Sequence, residues 1–272
     1  MIALMKKVVL ILLDALTREG ALKDMGFLQS LVESGDASYV DIKGELPSLS
    51  RPCYESILTG TPVSVHHIAA NNITMQSPVA SIFSIAHENR LITAAAAYHW
   101  MSELYNTTPF SPLTDRITND ESKTIQHGIF YFDDTYPDTH LFLDGESLRS
   151  RYSPDLLLIH PMGIDYTGHL YGSNSREYER KCVAVDSILA NFIPLWLTSG
   201  YSVIVTSDHG MSEFGNHGGN RDEMRNVFAY FIGCGKIEKD IEFSQLSLAP
   251  TVCRLLNLEP AQTMRAPQIA LS

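Results

Sequence analysis

An α/β fold with a mostly parallel central sheet and helices on both faces is what this sequence predicts, on three observations. Short apolar runs, Val8 to Leu13, Asp155 to His160 with LLLI at its centre, and Val203 to Val205, are continuous rather than alternating, as expected of parallel strands covered on both faces. Stretches of helical character separate them, the rhythm of βαβ units. Each run leads into aspartate and histidine: Asp14 after the first, Asp165 and His169 after the second, Asp208 and His209 after the third. In an open α/β sheet the carboxyl ends of strands border the ligand crevice, so these side chains project where chemistry is done. With 272 residues and 44% hydrophobic content, the chain can bury one large core, and residues 1–272 read as a single domain.

Val8 to Leu13 is the first, central strand. Phe27 to Glu33 reads as part of a short helix and Ser38 to Ile42 as a second strand. Pro47 to Pro52 then forms a loop into a helix from about Cys53 to Leu58 that stops at Thr59-Gly60. A helix over Pro78 to Asn89 and an interior strand over Leu91 to Ala97 follow. The segment from about 100 to 138 departs from this rhythm: it is polar, weakly periodic, and carries Trp100, Tyr105, Phe110, Phe130, Tyr131, Phe132 and Tyr136. It reads as a small cap over the site, whose aromatics would either stack on an organic group or pack as core. Thr139 to Ser150 looks helical, Ser175 to Leu197 forms a helix interrupted at Pro194, Val227 to Ile232 adds a strand, and Leu246 to Leu256 a last helix.

Net charge is −11, which argues against binding a nucleic acid polymer by neutralising its phosphates. Divalent cations held by carboxylates would offset part of that acidity. Cys53, Cys182, Cys234 and Cys253 lie far apart and read as reduced, mostly buried thiols. At the start, Lys6 and Lys7 precede an apolar run as in an export signal, but Asp14 interrupts it too early for a signal core or a bilayer span. No other stretch reads as a membrane span, so the expected setting is the cytoplasm; no pattern specifies an oligomeric state.

The stretch Val203 to Gly219, VIVTSDHGMSEFGNHGG, carries the densest set of candidate ligands. His217 sits between Asn216 and two glycines that let the backbone pass close to an ion. Carboxylate and imidazole together suit zinc. Taken alone, Asp208 and His209 would equally serve as a helix cap and a loop residue, and His217 as a turn histidine. The four-residue spacing of Asp165 and His169 places both on one side of a helical turn, where they could share an ion or form an exposed pair. Ser50 lies just ahead of a helix N-terminus, where an anion would meet free N–H groups, and where a serine also serves as a simple N-cap.

Five pieces, VVLILLDAL, ELPSLSRPCYESILTGTPVSVHHIAANN, LLLIHPMGIDYTGH, VTSDHGMSEFGNHGG and LAPTVCRLLNL, resemble in order the alkaline phosphatase superfamily, and within it the type I phosphodiesterase and nucleotide pyrophosphatase branch. The resemblance implies a three-layer alkaline-phosphatase-like core with a cap segment. It implies two Zn2+ per chain, or other divalent metals: Asp14, Ser50, Asp208 and His209 match the ligands of one, and Asp165, His169 and His217 those of the other. Ser50 matches the nucleophile, and Asn71 an asparagine that contacts a phosphoryl oxygen. The implied activity is hydrolysis of a small-molecule phosphate ester or nucleotide through a phosphoseryl intermediate, the metals activating the hydroxyl and clamping the oxygens.

Two departures concern the phosphate pocket: His66-His67-Ile68 replaces the common His-Gly-Ile, and Cys53 stands where an asparagine is common. His66, His67 and His160 read as structural or as orienting a ligand. Sulfatases share the superfamily fold, yet Tyr54 replaces the arginine of their modification signal, and Ala15 after Asp14 removes an oxygen from their calcium set. The short separation of His209 from His217 is similar to that of the ethanolamine-phosphate transferases, so transfer stands beside hydrolysis. A phosphonate hydrolase would use the same ligands, and a binding protein without metals would have lost some of them.

Overall fold

The apolar runs pair into one nine-stranded sheet in a computed structural model that describes residues 7–237 and 243–271; Lys6 of the leading basic pair lies outside the described residues. The strands are β1 (Lys7–Leu12), β2 (Ala37–Lys43), β3 (Thr93–Tyr98), β4 (Ile117–Asn119), β5 (His127–Tyr131), β6 (Leu156–Ile159), β7 (Tyr201–Thr206), β8 (Asn226–Ile232) and β9 (Phe243–Ser244). Their order across the sheet is β4-β5-β3-β6-β1-β7-β8-β2-β9. The block from β5 to β7 is parallel throughout, and the antiparallel pairs β4-β5, β7-β8 and β8-β2 lie outside it.

The helices are α1 (Arg18–Lys23), α2 (Gly26–Ser34), α3 (Ser50–Thr59), α4 (Val63–His66), α5 (Ile82–Glu88), α6 (Trp100–Tyr105), α7 (Asp138–Tyr152), α8 (Gly163–Tyr171), α9 (Arg176–Thr198), α10 (Asp222–Arg225) and α11 (Leu248–Leu255). They cover both faces. Val8, Leu10 and Leu12 of β1 pack with Ile57 and Leu58 of α3, Phe83 of α5 and Val252 of α11. Val9 and Ile11 point the other way, into Leu28 of α2, Phe142 of α7 and Val185, Leu189 and Trp196 of α9. Alternate residues thus serve opposite cores, which is why the run is apolar at every position.

Several boundaries differ from the sequence expectation. The helix placed at Cys53 to Leu58 begins at Ser50, with Leu49 as its N-cap, so Ser50 is not the cap. Pro52 is no obstacle, because the first-turn N–H groups have no intrahelical partner to lose. The helix expected from Pro78 starts only at Ile82, where Ser81 and Ser84 form a reciprocal capping box. Helix α9 continues unbroken through Pro194; the burial of Ile193 and Trp196 on either side offsets the roughly 3 kcal/mol that an interior proline costs.

Among the described residues, α9 is also a helix long and apolar enough to cross a membrane by length and composition, which corrects the expectation that no such stretch follows the N-terminus. Here its stripe of Tyr178, Cys182, Val185, Leu189, Ile193 and Trp196 is buried, and it packs on β7, α2, α7 and α8. Part of the segment from 100 to 138 forms the sheet edge, since β5 pairs with β3 and β4 with β5. Its Tyr105, Phe130 and Tyr131 are core, while Phe132 is half exposed.

Candidate active site

The three strands that lead to candidate ligands are neighbours, β6-β1-β7, and they end almost level, with Ile11 opposite Ile159 and Leu12 opposite Thr206. The chain leaving each strand therefore delivers its side chains to one place. Asp14 lies two residues beyond β1, Asp208 two beyond β7, and α8 brings Asp165 and His169 after β6. Ser50 arrives from the opposite side at the first turn of α3. The loop carrying His217 passes close to Leu49, and Gly218 at φ 102° allows it: a Cβ there would sit 2.9 Å from Leu49 Cδ2.

Ser50 Oγ is 3.1 Å from His209 Nε2. That nitrogen is in turn 3.1 Å from Asp208 Oδ2 and 3.6 Å from Asp14 Oδ1. In a second group, Asp165 Oδ2 lies 3.4 Å from His169 Nε2, Asp165 Oδ1 lies 3.7 Å from His217 Nε2, and the two histidine Nε2 atoms are 3.2 Å apart. The stacked rings of His209 and His217, 3.9 Å between centroids, join the groups. All seven ligands expected from the sequence are thus brought together, and His209 is also within reach of the Asp165 and His217 donors.

The hydrogen bonding shows what the cluster lacks. Nδ1 of His169, His209 and His217 faces the backbone carbonyl of Gly215, Gly210 and Ser48 at 2.9, 3.0 and 3.0 Å. A carbonyl only accepts, so each Nδ1 carries a proton; the neutral rings of His209 and His217, whose pKa values burial lowers, turn a bare Nε2 lone pair inward, while His169 Nε2 faces the Asp165 carboxylate. Asp14 Oδ1, Asp165 Oδ1 and Asp208 Oδ2 are buried with no hydrogen-bond partner. Acceptors therefore face acceptors at buried carboxylate oxygens, an arrangement that costs free energy until a cation fills it, while His169 keeps one edge of the site open to solvent. Carboxylate oxygen with imidazole nitrogen is a zinc-type donor set. The residues present fit two such ions.

The electrostatics agree. Burial, aided by the nearby Asp165 carboxylate, pushes the Asp14 carboxyl up to about 7, and burial with Asp14 as neighbour drives Asp208 well above the carboxylate range. Burial and His217 push His209 down to about 4. His169, hydrogen-bonded to Asp165, rises to about 9. Without a cation the cluster can balance its charge only by holding protons.

Around these residues sit Tyr54, whose role the sequence did not mark, and the spare histidines, which it left between structural and orienting roles. The Tyr54 hydroxyl donates to Asp14 Oδ2, and His160 Nε2 lies 3.3 Å from the same oxygen. The Tyr98 N–H reaches His160 Nδ1 at 3.4 Å, so Nε2 carries the proton toward Asp14. Two donors on Oδ2 leave Oδ1 facing the centre. His160 thus orients the Asp14 carboxylate, whereas His66 is structural: its Nδ1 accepts from Ile68 N at 3.1 Å and its Nε2 meets Ser56 Oγ at 3.0 Å. His67 adopts φ 62° at the end of α4. Asn71 is half-buried, and its Oδ1 accepts from Arg51 N at 3.0 Å, directly after the nucleophile position. Cys53 is buried with Sγ toward Pro47 O, so it does not take over an asparagine's donor role.

Residues 8–227 match the model of the type I phosphodiesterase / nucleotide pyrophosphatase family. The chain belongs to that family. Among curated relatives, the catalytic subunit of human GPI ethanolamine phosphate transferase 2 is 24% identical over 272 aligned residues, covering 94% of this chain. This family member spans only 27% of that relative's length. Among solved structures, murine ectonucleotide pyrophosphatase / phosphodiesterase 5, an inactive variant in complex with AMP, superposes with a TM-score of 0.70 at 14% identity over 94% of this chain and 96% of that one. The C-terminal periplasmic domain of EcEptC from Escherichia coli gives 0.66 at 13% identity over 98% and 88%. At these identities the structures speak to the fold, which is alkaline-phosphatase-like with a mostly parallel sheet between helices.

Proposed function

We propose that this chain cleaves phosphate diesters by passing the phosphoryl group to Ser50 at a di-zinc centre. The carrying observation is the Ser50 hydroxyl, at the first turn of α3 and 3.1 Å from His209 Nε2, beside two groups of unsatisfied acceptors. Asp14, Asp208, His209 and Ser50 would hold one ion, and Asp165, His169 and His217 the other. Bound there, the ions supply the positive charge that acidifies a hydroxyl and neutralises phosphoryl oxygens. Ser50 Oγ attacks phosphorus, the bond to the leaving alcohol breaks, and a phosphoseryl ester results. Asn71, whose Oδ1 is taken by Arg51 N, offers its Nδ2 donors to a nonbridging oxygen. A second nucleophile then attacks the same phosphorus and frees Ser50.

That second nucleophile is water in a hydrolase and an alcohol in a transferase. Likeness to a GPI ethanolamine phosphate transferase over 94% of this chain favours the alcohol as a second reading. The test is turnover of bis-p-nitrophenyl phosphate by zinc-loaded protein, with and without glycerol or ethanolamine. Ser50→Ala is expected to abolish p-nitrophenol release while keeping its zinc; release within about tenfold of the parent sinks Ser50 as nucleophile. Phosphorylated acceptor among the products marks transfer, and free phosphomonoester alone marks hydrolysis.

A further inference from the structure

A buried ion pair next to the nucleophile has no part in the steps above. Arg51 follows Ser50, is 1% exposed, and pairs through Nη2 with Glu103 Oε2. Its Nη1 donates to Ile73 O at 2.7 Å, and the guanidinium lies 4.6 Å from the Trp100 ring centre. Its main-chain N–H donates to Asn71 Oδ1. We infer that Arg51, anchored by Glu103, is a positioning residue that aims the Asn71 amide at the phosphoryl group on Ser50; this rests on the function proposed for Ser50 and Asn71.

Residues 67–81 lie in neither helix nor strand, so nothing periodic sets the place of Asn71. One residue grips that stretch at two points, Asn71 through its backbone and Ile73 through its side chain. With Oδ1 bound to Arg51 N, the amide can turn only its Nδ2 toward an incoming oxygen. Glu103 is itself fixed, since Oε1 accepts from Phe110 N at 3.3 Å. The guanidinium is buried, with Nη1 and Nη2 engaged by Ile73 and Glu103 and only Nε without a partner. A buried pair of this kind gains little over an apolar pair of equal volume. Its contribution therefore lies in where it puts the 71–73 stretch.

The test uses inorganic phosphate titrated calorimetrically onto the zinc-loaded protein, in parent, N71A, R51M/E103L and the triple variant. R51M/E103L removes both charges together and so leaves none buried unpaired. N71A and R51M/E103L are each expected to weaken phosphate about tenfold, with the triple variant no weaker than N71A alone, since one contact is lost either way. If R51M/E103L does not fold, Arg51→Lys keeps the pair with Glu103, loses the second donor, and takes its place in the same cycle. Losses that multiply in the triple variant, or parent-like binding by the variant at Arg51, overturn the inference. A parent protein that binds zinc but no phosphate overturns the site reading itself, which is a distinguishable result.

Discussion

Asp208→Asn should change the sign of its effect on stability with the presence of metal. Asp208 is fully buried, its Oδ1 accepts from Ala15 N at 3.0 Å, and its unpartnered Oδ2 sits 3.1 Å from His209 Nε2, beside the Asp14 carboxyl. Asparagine has the same shape, keeps the acceptor for Ala15, and brings an N–H toward the bare imidazole nitrogen. In chelator the variant therefore relieves a crowded pair of carboxyls and is expected to match or exceed the parent by about 1–3 kcal/mol. At roughly 2–4 °C per kcal/mol for a chain of this size, that is a rise of up to about 12 °C in melting temperature. With zinc at a hundred times its dissociation constant, the parent gains about 2.7 kcal/mol per site, and the variant forfeits that gain at the first site. The assay is calorimetric melting of both proteins in EDTA and in zinc. An equal loss of melting temperature under the two conditions would show that Asp208 is an ordinary structural residue, and the ligand assignment would fall with it.

Tyr54→Phe removes a donor from Asp14 Oδ2 and is expected to weaken zinc by about tenfold in competition with a chromophoric chelator; an unchanged affinity would detach Tyr54 from the metal site. Glu55 is buried with Ser77 and Tyr105 donating to it, and burial lifts its carboxyl from 4.5 to about 7. The folded state then holds a proton that the unfolded state releases, so stability present below pH 4.5 is lost as pH rises through about 7. Glu55→Gln should flatten that stretch of the stability profile by about 3 kcal/mol in denaturant titrations across pH, and an unaltered slope would contradict the assignment. Gly218→Ala forces a side chain into φ 102° and against Leu49, which leads into Ser50. It should cost about 1–3 kcal/mol and lower diester turnover together, and parent-like values of both would remove the packing argument.

The sequence alone determined the sheet's parallel block and marked Asp14, Asp165, His169, Asp208 and His209 at its strand ends for a local reason, while Ser50 and His217 joined that candidate set through the resemblance. A strand buried on both faces must be apolar at every position, so Val8 to Leu13, Leu156 to Ile159 and Val203 to Val205 stand out, and the polar residues that follow them are at strand ends by construction. Helix limits were less legible: Pro52 and Pro194 looked like breaks, yet one sits in a first turn and the other is carried by its buried neighbours. The aromatics of 100–138 read as a cap, but whether Tyr131 lines a cleft or a core depends on β5 pairing with β3, a contact far along the chain. Tertiary structure alone decided that β6, β1 and β7 are neighbours, and so that their ends meet. It alone put Tyr54 and His160 on the outer oxygen of Asp14, and Arg51 between Asn71 and Glu103. A buried tyrosine, histidine or arginine gives no periodic signal of its partner, because a hydrogen bond between distant segments is set by packing and not by spacing.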